Sequence, residues 1–500
     1  MVLRPTGQDF RIIFFNTGRI VVGLAILMLL PLLTSLAFAE WDVAVDFAIG
    51  MGATLAAGYA LLILFYTDRD PQWLHGMSAA AISWLLCTLL GAIPYQLSSH
   101  FGSYLDACFD IMSGYTTTGL VMIQDLDHIS YGLNMWRHEL TYIGGQGMIV
   151  VALTFLVPGF SGAYKMYVGE GKDERLLPNV LNTARAIWVI SLVYLAIGTG
   201  MLWIAGIWEG LQPLRALLHG LWMFMSTWST GGFAPQSQNL LYYHSPLIET
   251  ISILIMVAGS LNFALHYAVW NGNYKEIYRN IEVQSFATTL TIAFTLACAA
   301  IISTRTFPGV LSVFRMVFLH AVSAHTTTGV MSVYVRQLIT QWGLPAMVGL
   351  TLAMAIGGSA CSTAGGFKGI RMGILTKALW QDVKKLVSPE SAVVIQKFHH
   401  IKDVVLEDPQ VRAAALIVLL YVLIYSIGAV VGVFYGYPVM DAMFDAVSAG
   451  SNSGLSCGVT LPTMPALMKI VYFLEMWAGR LEFNALLVLL GLGYATIKGK

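Results

Sequence analysis

Six apolar runs, residues 20–39, 47–66, 77–97, 186–205, 286–303 and 413–435, restrict this chain to one kind of solvent. Each approaches or exceeds the ~20 residues that a helix needs to cross a hydrocarbon core. Only 11% of the 500 residues are charged and mean hydropathy is +0.70, whereas soluble domains carry roughly a quarter charged residues. The chain reads as a polytopic, all-α membrane protein. Its first run is too long for a signal peptide, lacks a clear cleavage pattern and is followed by many more, so it reads as a retained span.

A formal net charge of zero argues against a nucleic-acid partner, and the placement of the charges says more than their sum. With the N-terminus inside, twenty of the 27 Lys and Arg fall on the inner face, as positively charged cytosolic loops require, and both termini are then cytosolic. Arg137, Arg215, Arg305, Arg315, Arg336 and Lys469 fall outside, and Arg480 lies within a mostly apolar segment. The five cysteines show no CxxC spacing and read as buried thiols, not as metal ligands or a disulfide frame.

One phrase recurs. "SGYTTTGL" (113–120) matches "STWSTGGF" (226–233), "SAHTTTGV" (323–330) and "SAGSNSGL" (448–455), each with Ser, five residues, then Gly. A short apolar stretch leads into each copy (104–112, 213–225, 310–322, 440–447), and another apolar segment follows it. Stretches this short fit re-entrant half-helices. Non-helical backbone at membrane depth is tolerated only where it is buried in protein or lines a water-filled cavity, so four such loops imply one cavity on a pseudo-four-fold axis. Glycine at Gly119, Gly232, Gly329 and Gly454 allows backbone angles that turn carbonyls toward that axis, where they can replace water around a cation. Half-helices whose C-terminal ends face the cavity add partial negative charge. The repeats divide the chain into an N-terminal helix pair, 1–70, and four units: 71–160, 161–272, 273–390 and 391–500.

These phrases, together with "YIGGQGMIV" (142–150), "NFALHY" (262–267), "GGSACSTAGGFKGIR" (357–371) and "AGRLEFNALLVL" (478–489), resemble the potassium-uptake superfamily of Trk, Ktr and HKT proteins. The two extra N-terminal spans make the chain most similar to the bacterial TrkH branch, over essentially its whole length. The resemblance implies four helix–pore loop–helix repeats around one pore in a bacterial inner membrane, and potassium uptake through it. It implies a filter formed by Thr117, Thr118, Gly119, Thr230, Gly231, Gly232, Thr327, Thr328, Gly329, Asn452, Ser453 and Gly454, with potassium the only bound metal. Serine at the first glycine goes with sodium-transporting plant members, so Gly119 favours potassium. Gly231, Asn452 and Ser453 depart from the threonines of the other copies, which leaves the ring chemically uneven and suits one or two good ion sites better than a column of four.

"GGSACSTAGG" (357–366) interrupts the span after the third phrase, since each interior Gly costs about 1 kcal/mol relative to Ala. Gly357, Gly358, Ser362, Thr363, Gly365 and Gly366 then form an intramembrane loop that constricts the cytosolic side of the pore, or else allow tight helix packing. An intramembrane Arg needs a partner. The resemblance places Arg480 against the gate loop; Asn484 at i+4, Glu475 and Glu482 are the local alternatives. Lys368 is either a second positive element at the pore exit or a membrane-surface anchor. His219, His320 and His325 lie on or beside the short stretches without carboxylate or Cys at ligand spacing, and Asp125 and Asp127 are placed to concentrate cations at the outer mouth.

The chain has no GxGxxG after a strand and no GxxxxGK[ST], so no cofactor is expected within it. NAD or ATP would act only through a partner, which the resemblance implies to be a cytosolic ring of Rossmann-type, TrkA-like regulatory subunits; it also implies a homodimer in contact with membrane lipid. The competing readings are an alternating-access cation symporter coupled to protons or sodium, which four same-sense repeats disfavour, and a sodium-permeable member of the same superfamily. No GxSxG or HExxH motif supports an enzyme.

Overall fold

The structure, a computed structural model, describes residues 4–147, 180–304, 306, 307 and 309–499. The expected boundary at 160/161, residues 148–150 of the stretch 142–150 and most of the inner segment 158–183 lie outside the described residues. Helices α1 (Gly7–Leu27) and α2 (Leu29–Ala37) run on as one apolar segment, and α3 (Trp41–Leu64) returns beside α1. Small residues set that crossing. A Cβ on Gly58 would stand 2.7 Å from Val22 Cγ2, so only glycine permits this approach of the two backbones.

Four units follow. The first contains α4 (Trp73–Gly91), α5 (Ile93–Leu97), the short α6 (Tyr104–Tyr115) and α7 (Tyr131–Gln146). The second contains α8 (Val180–Trp208), the short α9 (Pro213–Trp228), α10 (Pro246–Ser260) and α11 (Phe263–Trp270). After α12 (Glu276–Arg279), the third contains α13 (Ile281–Thr304), the short α14 (Val310–His325), α15 (Val335–Gln341), α16 (Leu344–Ile356) and α17 (Gly369–Leu386). The fourth opens with strands β1 (Lys397–His400) and β2 (Lys402–Val405), then α18 (Asp408–Phe434), the short α19 (Val439–Gly450), α20 (Ala466–Arg480) and α21 (Asn484–Lys498). Serine side chains start several helices: Ser103, Ser130 and Ser245 accept from the amides of Asp106, Leu133 and Ile248.

Among the described residues, six helical segments are long and apolar enough to span a bilayer, and they correspond to the six runs read from the sequence. The most apolar window of Asp408–Phe434 has mean hydropathy 2.6, yet only 22% of it is buried in the protein. The rest is a surface for lipid, since water would not tolerate so large an apolar face.

The units close into a ring. In each, the helix after the phrase packs on the short helix of the next unit: α7 on α9, α10 on α14, α16 on α19, and α20 back on α6. Ion pairs join two of these junctions, the buried Lys469 with Asp106 and the half-exposed Arg315 with Glu249 at 2.6 Å.

Two features differ from the sequence reading. A break was expected only in the third unit, but α10 and α11 are bent by 100° and α20 and α21 by 111°. The fourth-unit bend comes from Glu482 and Phe483 at φ 47° and 65°, so Asn484 starts a new helix and is not an i+4 partner of Arg480. The all-helical expectation also omits the small antiparallel hairpin β1–β2. Phe398 pins it by packing with Ile281, Ile374, Leu406 and Ala414, while Ile401 turns at φ 60°.

His399 holds the hairpin to α12, with Nε2 3.0 Å from Glu276 and Nδ1 2.6 Å from Asp403. The Glu276 carboxylate first, then that of Asp403, raises the imidazole above its ordinary range. A raised value means that the stabilisation is fully present below about pH 6.5 and is lost as pH rises through the elevated value. Amide exchange across 397–405, corrected for intrinsic rates, is therefore expected to be slower at pH 6 than at pH 9, and His399→Ala is expected to abolish the difference.

Candidate ion-binding site

Every short helix ends in the same turn. The Thr118 amide donates to Ser113 O at 2.7 Å, Gly231 to Ser226 at 2.8 Å, Thr328 to Ser323 at 2.8 Å and Ser453 to Ser448 at 2.9 Å. This is the six-to-one bond of a Schellman termination, in which the left-handed position is usually glycine. Here it holds Thr117, Thr230, Thr327 and Asn452, at φ 54°, 52°, 52° and 56°. The left-handed conformation costs an L-residue roughly 1–2 kcal/mol, and a β-branched one is a true outlier. Strain of this kind persists where surrounding contacts impose it.

Those contacts are visible at each position. Thr117 Oγ1 accepts from Arg480 at 3.3 Å, Thr230 Oγ1 donates to Thr363 Oγ1 at 3.2 Å, and Thr327 Oγ1 accepts from the Gly365 amide at 2.7 Å. Asn452 Nδ2 donates to Met476 O at 2.9 Å and to Thr118 Oγ1 at 3.0 Å. The hydroxyls and the amide thus tie the loops to what lies beneath them.

The glycines two residues later lie at φ 88°, 71°, 83° and 85°. A Cβ on Gly119 would meet Gly231 O at 2.6 Å, on Gly232 Thr328 O at 2.2 Å, on Gly329 Ser453 O at 2.2 Å, and on Gly454 Thr118 O at 2.1 Å. These contacts pass from the first loop to the second, third and fourth and back to the first. Four backbone carbonyls and four glycines therefore form one closed ring. The uneven side chains leave it intact: at Gly231 a Cβ would collide with Thr141 Cγ2 at 1.8 Å, which accounts for glycine in the second phrase.

On one side of the ring lies a cavity of about 240 Å³ lined by all four glycines, with Gln124, Gln236, Asn239 and Thr460. Its lining is uncharged. Asp125 and Asp127 are not part of it: Asp125 meets His128 at 2.7 Å and Asp127 accepts from the Ser237 amide at 3.2 Å, so both hold loops in place.

On the other side sits the non-helical segment 357–368, between α16 and α17. Its polar groups are satisfied by protein, as this depth requires. Ser359 N donates to Ser260 O at 3.0 Å, Ala360 N to Glu282 at 2.6 Å, Phe367 N to Ala355 O at 2.8 Å, and Thr363 Oγ1 to Gly259 O at 2.8 Å. Ser362 Oγ donates to Ser359 O at 2.6 Å, the Gly369 amide donates to Gly358 O at 2.8 Å, and Gly357 and Gly366 take φ 72° and 79°. At Gly365 a Cβ would lie 2.0 Å from Ser451 O, so the loop backbone presses directly on the base of the fourth phrase.

Arg480 completes this layer. Its guanidinium donates to Thr363 O at 2.7 Å, to Gly145 O at 3.2 Å and to Gly144 O, which joins the loop to the first, third and fourth units. Lys368 is not a surface anchor; it is buried, donates to Ala364 O and lies 3.7 Å from Glu482. Glu482 also pairs with Arg371.

The profile of the TrkH family, described as cation transport protein, matches residues 45–491. The chain belongs to the TrkH family. It is 30% identical to an uncharacterized cation transporter of Methanocaldococcus jannaschii, over 98% of this chain and 97% of that one. The Trk system potassium uptake protein TrkH of Escherichia coli (strain K12) is 26% identical over 96% of this chain and 98% of its own. The crystal structure of the potassium transporter TrkH from Vibrio parahaemolyticus superposes with a TM-score of 0.81 at 25% identity, over 96% of this chain and 98% of that one.

In this TrkH-family chain the repeat alignment also exposes a set of residues that the phrase search missed. Three residues before each leading Ser stand Asp110, Met223, His320 and Asp445, and nine residues after it stand Met122, Pro235, Ser332 and Cys457. The Met122 amide donates to Asp110 at 2.8 Å, Ser332 to His320 Nε2 at 3.4 Å, and Cys457 to Asp445 at 2.8 Å. The second unit has methionine opposite proline, which carries no amide hydrogen to bind. Each short helix with an acceptor thus pins the outgoing loop behind the ring. Reading down the columns of the four-fold alignment, not only within the phrase, would have found them. Arg137, expected among outer-face charges, belongs to the same support: it is buried 4.3 Å from the Phe233 ring and donates to Ala234 O at 3.2 Å.

Asp445 carries the heaviest load, accepting also from Ser456 Oγ, Thr460 N and Thr460 Oγ1, each at 2.9 Å. Asp445→Ala strands two buried amides at about 1–3 kcal/mol each. It is expected to lower the unfolding midpoint in detergent and to speed amide exchange at Cys457 and Thr460, whereas Met223→Ala is expected to leave exchange of the second outgoing loop unchanged.

Proposed function

We propose that this chain takes up potassium across the bacterial inner membrane, both termini cytosolic, through the ring of Gly119, Gly232, Gly329 and Gly454. The observation that carries the reading is the closed sequence of glycine-to-carbonyl contacts, 2.1 to 2.6 Å from each built Cβ. Such a ring offers oxygen atoms at membrane depth to a cation that has shed its water. The C-terminal ends of α6, α9, α14 and α19 lead directly into it and add partial negative charge. The relatives named for potassium support the choice of ion. Ions leave the neutral outer cavity, pass the carbonyls of Thr118, Gly231, Thr328 and Ser453, and meet the segment 357–366 below.

That segment and Arg480 act as the gate. Arg480 sets a fixed positive charge under the ring, and Lys368 sets a second one farther along. Opening withdraws the loop from Thr230 and Thr327 and frees the axis. The Lys368, Arg371 and Glu482 cluster at the loop's exit gives a cytosolic partner a place to act. A homodimer regulated by Rossmann-type subunits that bind NAD or ATP completes the reading.

Purified protein in liposomes tests it: potassium or rubidium flux that grows with the gradient supports conduction, and none with or without a regulator refutes it. Gly119→Ser introduces a side chain at φ 88° and 2.6 Å from Gly231 O. It is expected to reduce the preference for potassium over sodium by roughly tenfold, about 1.4 kcal/mol, measured from reversal potentials. Arg480→Ala is expected to raise basal flux severalfold without a regulator; a folded but inactive variant would refute the gate role.

A further inference from the structure

The second loop is held differently from the other three. Asp110, His320 and Asp445 each accept an amide of their own outgoing loop behind the ring, whereas the second unit sets Met223 opposite Pro235 and lacks that bond. A different restraint is present there. Asn239, which opens the short helical turn Asn239–Tyr243, donates from Nδ2 to Gly232 O at 3.3 Å. Among the described residues, no hydrogen bond reaches Gly119 O, Gly329 O or Gly454 O.

Asn239 is itself fixed in place. Its Oδ1 accepts from the Leu240 amide at 2.8 Å, so the carboxamide is oriented with its donating end toward Gly232. The Leu240 amide also reaches Met331 O at 3.1 Å, which ties the turn to the outgoing loop of the third unit. Asn239 lies at φ 55°, a conformation that asparagine tolerates better than most L-residues. At the same distance from the leading Ser, the other units carry Leu126, Arg336 and Leu461, none of them a carboxamide.

Gly232 and Asn239 both line the cavity on the outer side of the ring. Discrimination among alkali ions rests on the number and placement of the oxygens that replace their water. A carbonyl tethered by a donor keeps its place when a smaller ion enters. Resting on the reading of the ring as the ion path, we infer that Asn239 is a positioning residue for cation recognition. Its carboxamide restrains the Gly232 carbonyl from the outer side, in the unit that lacks a restraint from behind, and so keeps the ring from closing around sodium.

The test compares Asn239→Gly and Asn239→Asp with the wild type, full-length and reconstituted in planar bilayers, by reversal potentials with potassium on one side and sodium on the other. Glycine accepts the positive φ and removes both bonds, whereas aspartate keeps the acceptor for Leu240 and removes the donor to Gly232. The permeability ratio belongs to each open pore and does not depend on how much protein folds, so a loss of stability alone does not move it. The preference for potassium is expected to fall roughly threefold or more in both variants, on the scale of one hydrogen bond. A fall confined to aspartate reports its added charge, a fall confined to glycine reports the Leu240 turn, and either overturns the inference. Should the glycine variant not fold, Asn239→Ser, neutral and shorter, takes its place. A wild type without potassium flux overturns the ring as ion path and the inference with it, whereas flux with an unchanged ratio in the variants overturns the inference alone.

Discussion

A backbone turned inside out at membrane depth is the constraint on which this structure depends. Amides and carbonyls released from a helix within the bilayer have no water to bind. At each short helix the released amide returns to the leading Ser carbonyl, and the carbonyls of Thr118, Gly231, Thr328 and Ser453 lie against the glycines of the neighbouring loops. That turn needs a left-handed residue. Placing Thr117, Thr230, Thr327 and Asn452 there, instead of glycine, strains the loop but gives each turn a polar side chain aimed at the layer below. One local distortion thus shapes the ring and attaches it to the segments packed against it.

The ring is supported from outside by unlike means in different units. Asp110 and Asp445 hold their outgoing loops by carboxylate, His320 by imidazole, and the second unit dispenses with the bond by pairing Met223 with Pro235. Arg137 fills the junction between the first two units, and Lys469 with Asp106 closes the last on the first. Four-fold symmetry is held at the backbone of the ring and relaxed in the side chains behind it, where any arrangement that fixes the loop suffices.

The segment 357–368 is likewise joined by polar contacts to the face that carries the hairpin. Glu282, at the start of α13, accepts from the Ala360 amide of the loop at 2.6 Å and from Asn262 at 3.3 Å. His400 of the hairpin approaches Glu282 to 3.9 Å, and His399 beside it anchors to Glu276. Arg371 and Lys368 share Glu482 at the loop's other end. A displacement of the hairpin or of α17 therefore has a direct physical path to the segment beneath the ring.

Much of this was legible in one dimension. Apolar length alone determined the membrane and its six long spans, because hydrocarbon thickness translates directly into residue count. The quadruplicated phrase determined where the four short helices end and which glycines meet in one ring, since only repetition in equivalent places separates such a set from ordinary turns. The glycine-rich stretch 357–366 marked a break by its own helix propensity. The tertiary structure decided the rest: that the breaks recur at 100° and 111° in two other units, that Arg480 binds carbonyls of the loop and of Gly144 and Gly145 and not a neighbour in sequence, and that Lys368 turns inward. The contacts of Arg480 join residues more than a hundred positions apart, and no local pattern encodes which carbonyl will face which side chain across the ring.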